Sequence, residues 1–138
     1  MKRIMFVCRH NSRRSQMAEG FARNLGGAAI EAVSAGLEPG SVDPLTVQAM
    51  AEVGIDISQQ TSQALSEFDP QDFDAVISLC GCGVSLPPEW VTRPIFEDWQ
   101  LDDPAGHSLD TFQRVRGEVK ERVEALVQTL QEPSPSKS

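Results

Sequence analysis

Cys8 closes the short apolar run "RIMFV" and is followed by "RHNSRRS", which holds three arginines before a helix-forming segment opens. A thiol at the lip of a buried strand, ringed by guanidinium groups, suits nucleophilic attack on a bound anion. The loop from Cys8 to Arg14 is long enough to curl with its backbone N–H groups inward, as an anion cradle. The N-terminus of the helix that follows adds unpaired N–H groups and positive potential. Arg14 can hold two oxygens of a tetrahedral oxyanion in a bidentate fork, which lysine could not do. The same positive surroundings are expected to stabilise the Cys8 thiolate and lower its pKa. The Ser15 hydroxyl can donate to that sulfur when it departs. Asn11 and Ser12 suit the tight curl, because Asn tolerates a left-handed backbone. The bland alternative is a buried structural cysteine with solvated arginines beside it.

Two further places carry chemistry. In "LDDPAG" (101–106), Asp103 directly precedes Pro104, which restricts the backbone beside it. Expelling an oxygen leaving group from a bound oxyanion needs a proton, and Asp103 can supply it. Asp102 competes for that role, since a carboxylate beside another carboxylate can have a raised pKa. The other place is "CGC", with Cys80 and Cys82. A metal centre built from Cys80, Cys82 and His107 lacks the second cysteine pair that would complete four ligands, so no metal is expected.

These groups need elements to position them. Buried strands are expected over 3–7, 29–36 and 75–80, with a fourth over 92–97. Met17, Ala18, Phe21, Ala22 and Leu25 recur at helical spacing over 15–27, which ends at Gly26 and Gly27. A second helix is expected over 42–54, with Asp43 as cap, Pro44 at its first position and Gly54 at its end. Residues 66–74 read as a short helix or turn, and 98–107 as a polar loop. Phe112, Val115, Val119, Val123, Leu126, Val127 and Leu130 share one face of a long last helix, capped by Ser108 or Asp110. The order implies one α/β domain over 1–131: a mostly parallel four-stranded sheet flanked by helices in three layers. The Pro/Ser-rich tail 132–138 is expected to be disordered. In such sheets ligands bind beyond the carboxyl ends of the strands. Cys8 falls just past the first strand and Cys80 at the end of the third, so the two thiols share one sheet edge.

Whole-chain properties narrow the choice. The 138 residues suit a single domain. A net charge of -8 argues against nucleic-acid binding, which needs a basic face. That acidity makes the local cluster Arg9, Arg13 and Arg14 more informative. No apolar run approaches the roughly 20 residues that span a bilayer. The start "MKRIMFV" reads as a strand rather than a signal peptide, so a cytoplasmic location is expected, without a membrane partner. Three cysteines do not make a disulfide scaffold, and in a reducing compartment they are catalytic, redox-active or simply buried.

"VCRHNSRRSQMAEGF" resembles the active-site loop of the low-molecular-weight protein tyrosine phosphatase family, and "SQMAEGF" is closer to its arsenate reductase branch. The resemblance extends through "SAGLEPGSVDPLTVQAMAEVGIDIS", "DAVISLC" and "DWQLDDPAG", nearly the whole chain. It implies a nucleophile at Cys8, an oxyanion-binding arginine at Arg14, a loop serine at Ser15 and a general acid at Asp103. It implies that the loop Arg9, His10, Asn11, Ser12, Arg13 and Arg14 lines the substrate. It further implies reduction of arsenate to arsenite, a detoxifying step. Cys80 or an external thiol would attack the Cys8–arsenic adduct, and Cys82 would take part in the relay. The resemblance implies no tightly bound cofactor, and glutaredoxin or thioredoxin as reducing partner.

The chain departs from the family in two places. "CGC" leaves only Gly81 between Cys80 and Cys82, so a disulfide between them would close a very small, strained ring. This is similar to a hybrid class that keeps the phosphatase-like fold but draws on glutathione and glutaredoxin, with Cys82 as a site for a mixed disulfide. Arg13 and His10 also depart from the usual loop. Arg13 suits attraction of anionic partners such as glutathione, whereas no role of its own is apparent for His10. The alternative is a phosphatase acting on phosphomonoesters or phosphotyrosine, for which Cys80 and Cys82 would be dispensable. The absence of Tyr and of an evident aromatic slot weakens that alternative. A non-catalytic binding module is disfavoured by the intact set Cys8, Arg14 and Asp103.

Overall fold

Ile4, Met5, Phe6 and Val7 have no exposed surface, so the first strand is buried on both faces, as its continuous apolar run requires. Full burial of side chains of this size contributes roughly 1.5–3 kcal/mol each. The computed structural model describes residues 2–79 and 86–131. Its elements are β1 (Lys2–Cys8), α1 (Arg14–Gly26), β2 (Ile30–Gly36), α2 (Pro44–Ala51), β3 (Ala75–Ser78), α3 (Pro88–Val91), β4 (Ile95–Asp98) and α4 (Leu109–Gln131). Short 3₁₀ turns lie at Gly27–Ala29, Leu65–Glu67 and Pro70–Asp72. The strands form one parallel sheet in the order β2-β1-β3-β4. This is the expected four-stranded α/β domain.

Alternation along β1 sorts its side chains to two cores. Ile4 and Phe6 face Met17, Phe21, Met50, Phe112 and Val119, from α1, α2 and α4. Met5 and Val7 face Leu65, Phe73, Leu86 and Trp90 on the other side. The sheet is therefore the middle of three layers. The helical face of α4 is buried as its spacing predicts, from Phe112 through Val127. Four of those residues are valines of modest helix propensity, so packing rather than propensity holds the helix. Its first turn is closed by the Ser108 carbonyl, which accepts from the N–H groups of Thr111 and Phe112.

Several boundaries differ from expectation. The fourth strand begins at Ile95, because Pro88–Val91 forms a helical turn that buries Trp90 before the chain enters the sheet. The third strand ends at Ser78, although Leu79 N–H still donates to the Val7 carbonyl at 2.9 Å. The second helix stops at Ala51, and Gly54, at φ 82°, completes the turn beyond it. Its start is as predicted: Pro44 lies in the first turn, and the Asp43 carboxylate accepts from Leu45 N–H at 2.9 Å. Cys8 is the last residue of β1, in register with Gly36, rather than one step beyond it. Cys80 and Cys82, like the tail 132–138, lie outside the described residues. Among the described residues, no helix is long and apolar enough to cross a membrane.

Candidate active site

The loop that follows β1 is anchored from outside through its carbonyls. Leu37, Glu38, Gly40 and Asp43 donate their N–H groups to the carbonyls of Cys8, Arg9, His10 and Ser12 at 2.7–3.3 Å. The Asn11 carbonyl accepts from Gln16 Nε2 at 2.9 Å, and that of Arg13 from Met17 N–H at 3.0 Å. In a trans peptide the N–H points away from the carbonyl. Every carbonyl from Cys8 to Arg13 is thus held outward, and the N–H edges turn to the inside of the curl. That is the backbone geometry an anion cradle requires.

Asn11 makes the curl possible. It adopts φ 53°, the left-handed conformation that its short amide tolerates. Its buried side chain braces the loop: Nδ2 donates to Ser15 Oγ at 2.8 Å, and Oδ1 accepts from Gln63 N–H at 2.8 Å. Ser15 Oγ therefore already accepts one bond, and its O–H remains a donor. Gln16, with no exposed surface, ties the loop to the segment after α2, because its Nε2 also donates to the Thr61 carbonyl at 3.1 Å. The Ser12 hydroxyl donates to the Ser41 carbonyl.

Arg14 is buried and fixed along one edge. Its Nη1 donates to the carbonyls of Leu79 at 3.0 Å and Leu101 at 2.9 Å. Its Nε is buried with no partner among the described residues, and Nη2 lies 3.5 Å from Asp103 Oδ2. Nε and Nη2 form the lateral fork of the guanidinium, the geometry that takes two oxygens of a tetrahedral oxyanion. The two adjacent carboxylates diverge. Asp103 meets Arg14, whereas Asp102 points outward and pairs with Arg114 of α4 at 3.0 Å. The Asp103 Oδ1 also accepts from Ala105 N–H at 3.0 Å.

Of the remaining loop side chains, Arg9 and His10 face outward. Arg9 is half-exposed, 3.7 Å from Glu38, and His10 donates from Nδ1 to the Glu38 carbonyl at 3.0 Å. Arg13 is not a free cation: its Nε donates to Asp43 Oδ2 at 2.9 Å, and Nη1 lies 3.8 Å from Asp103 Oδ1.

The thiol contradicts one expectation. Burial pushes the Cys8 pKa up from its ordinary value, and this outweighs the downward pull of the Arg14 guanidinium and of the N–H groups of Arg9 and Ser15. The Asp103 carboxylate adds to the upward push. The sequence displays the arginines but not the burial that opposes them. Gly36 also shapes the site, although in sequence it is legible only as the end of a strand. A Cβ there would stand 2.9 Å from the Arg9 carbonyl oxygen and from Asn11 N. Gln16 and Gln63 carried no signal in sequence either, since glutamine is ordinarily a surface residue.

Comparison with known proteins agrees with this fold. Residues 3–136 match the family described as low molecular weight phosphotyrosine protein phosphatase. The "Glutaredoxin arsenate reductase" of Synechocystis sp. is 62% identical over 127 residues, covering 92% of this chain and 97% of that protein. An "Arsenate reductase" of Brevibacillus brevis is 41% identical over 128 residues, covering 93% of this chain and 96% of its own. A solved structure described as "An arsenate reductase in the phosphate binding state" superposes with a TM-score of 0.91 at 60% identity, covering 95% of this chain and all of that one. From the matched span and these relatives together, the chain belongs to the low molecular weight phosphotyrosine protein phosphatase family.

Proposed function

We propose that the protein is a glutaredoxin-linked arsenate reductase. The observation that carries this is the 62% identity, along nearly the full length of both chains, to the Synechocystis sp. protein of that name. The cradle after β1 supports it chemically. Arsenate sits against the inward N–H groups of residues 9–15, two of its oxygens on Arg14 Nε and Nη2, above the Cys8 sulfur. To bind there it displaces Asp103 from Arg14.

In the first step Cys8 sulfur bonds to arsenic and one arsenic–oxygen bond breaks. The thiol proton, relayed by Asp103, leaves with the departing hydroxyl as water. Burial that favours the protonated Cys8 thiol fits this step, because the proton that Cys8 gives up is the one the leaving group needs. Ser15 and the N–H groups of Arg9 and Ser15 stabilise the sulfur. In the second step the Cys80 thiol attacks Cys8 sulfur, its proton passes to an oxygen of the departing arsenite, and the electron pair of the sulfur–arsenic bond stays on arsenic. Arsenic(V) leaves as arsenic(III), and the two sulfurs are left joined as a disulfide. Two glutathione thiols, acting through glutaredoxin and with Cys82 as the site of a mixed disulfide, return the enzyme to its reduced form by thiol exchange. Thioredoxin is the alternative reductant. This dependence suits the cytoplasm, where glutathione keeps thiols reduced.

A phosphatase could use the same cradle, with water replacing the second thiol, but the named relatives favour it less. A single-turnover assay separates the two. Pre-reduced protein is mixed with arsenate, with and without glutathione, and arsenite and remaining thiols are measured. Arsenite is expected, accompanied by the loss of two protein thiols when glutathione is absent. Cys8→Ser is expected to abolish all turnover, and Cys80→Ser to abolish arsenite formation while sparing phosphate-ester hydrolysis. Absence of arsenite in both arms would refute the reductase assignment, and arsenite from Cys80→Ser without glutathione would refute the role given to Cys80.

A further inference from the structure

Arg13 stands at the N-cap of α1, where Ser, Thr, Asp or Asn normally satisfies a free N–H. Its side chain makes no capping bond. A cation there also opposes the helix dipole, which favours negative charge at this end. The residue is therefore poorly suited to starting the helix, and its contacts show another use. One part of the guanidinium is fixed: Nε donates at 2.9 Å to Asp43 Oδ2, and Asp43 is itself held by capping α2. The other part reaches across the cradle, with Nη1 3.8 Å from Asp103 Oδ1. Asp103 is thus flanked by two cations, Arg14 on Oδ2 and Arg13 on Oδ1.

The two are not equivalent. An oxyanion in the cradle must claim the Arg14 fork, so Asp103 loses that partner when substrate binds. The incoming negative charge also repels the half-exposed Asp103 side chain toward solvent. Arg13 makes no such demand on the substrate, because its Nε is bound to Asp43 and its Nη1 faces Asp103. We propose that Arg13, anchored on Asp43, is the positioning residue that keeps Asp103 at the rim of the cradle once substrate has taken Arg14. It holds Oδ1, together with the N–H of Ala105, and so leaves Oδ2 to carry the proton toward the departing oxygen. This rests on the assignment of Asp103 as the acid. Lysine could supply the charge but not the planar fork that spans two carboxylates.

The test is a double-mutant cycle of Arg13→Gln and Asp103→Asn, in which Asn keeps an acceptor for Ala105 N–H. Two rates are measured across substrate concentration: arsenate-dependent consumption of Cys8 in a single turnover, and hydrolysis of phenyl phosphate. The expected result is that Arg13→Gln lowers the saturated rate about 10-fold, a fraction of what a general acid contributes. The half-saturating concentration stays within about 2-fold, and in the Asp103→Asn background the Arg13 substitution costs nothing more. Arg13→Lys, a second variant should Arg13→Gln fail to fold, is expected to recover only part of the rate. A raised half-saturating concentration with an intact saturated rate would overturn the proposal, making Arg13 an attractor of anions. An equal cost in both backgrounds would overturn it too, as a purely structural effect. A wild-type protein that hydrolyses phenyl phosphate but yields no arsenite would sink the reductase assignment, and the ester arm would still decide the role of Arg13. A protein that turns over neither substrate would sink both.

Discussion

Gly36→Ala tests whether the cradle depends on the sheet beneath it. Gly36 ends β2 opposite Cys8, and its N–H donates to the Gln63 carbonyl at 2.7 Å. A Cβ at this position would lie 2.9 Å from Arg9 O and Asn11 N and 3.0 Å from His10 C, whereas ordinary contact begins at 3.4 Å. The difference, 3.4 − 2.9, requires a retreat of about 0.5 Å, and every atom met is backbone. The strand cannot yield without losing the Gln63 bond, and the loop cannot yield without disturbing the bonds that hold its carbonyls outward. Overpacking of this kind costs roughly 1–3 kcal/mol. A displacement of about 1 Å in a catalytic site costs about 10²-fold in rate, so half that shift is expected to cost about 10-fold. Urea unfolding and single-turnover consumption of Cys8 by arsenate measure the two effects. Gly40→Ala is the control, since a Cβ there meets nothing within 4 Å, and it is expected to change neither. A Gly36→Ala protein with wild-type stability and rate would refute the view that this contact sets the height of the loop.

Three further outcomes are expected. Asn11→Ala strands the N–H of Gln63 and removes the amide that lets this position tolerate a positive φ, so it should lose roughly 2–4 kcal/mol in urea unfolding. Asn11→Gly should recover about 1 kcal/mol of that by relieving the backbone alone, and equal stabilities for the two would contradict this account. Alkylation of Cys8 by iodoacetamide should rise with pH to a midpoint above the ordinary thiol value of 9.0, and Asp103→Asn should lower that midpoint by removing a negative charge; an upward shift would reverse the assigned electrostatics. Glu19, buried on α1 against the Ser34 hydroxyl, has its carboxyl pushed above the ordinary 4.5 mainly by burial. The folded state thus holds this proton more tightly than the unfolded chain. Stability from this group is fully present below pH 4.5 and is lost as pH rises through the folded value. Glu19→Gln should flatten that segment of the stability–pH curve, and an unchanged slope would exclude Glu19 as its source.

The fold was largely legible in sequence because its signals are local. The run Ile4–Val7, the helical spacing from Phe112 to Val127 and the Asp43–Pro44 start of α2 each report on neighbours a few residues apart. The boundaries that moved were those set at a distance. Nothing near residue 92 shows that β4 must wait until Ile95 to pair with Ala75. In the site, the spacing of Cys8, Asn11, Arg14 and Ser15 within a strand–loop–helix pointed to a cradle, and the family resemblance, with Pro104 beside it, pointed to Asp103.

The sequence by itself determined the chemistry on offer: a thiol, an arginine fork, a carboxylate beside a proline and a left-handed Asn, arranged along a parallel sheet. Tertiary structure decided how those groups are used. It turned Asp103 rather than Asp102 toward Arg14, since Arg114 on a distant helix takes the other carboxylate. It tied Arg13 to two carboxylates rather than leaving it free for anions. It also reversed the expected direction of the Cys8 pKa, because desolvation depends on everything packed around a group, while a sequence window shows only the charges beside it.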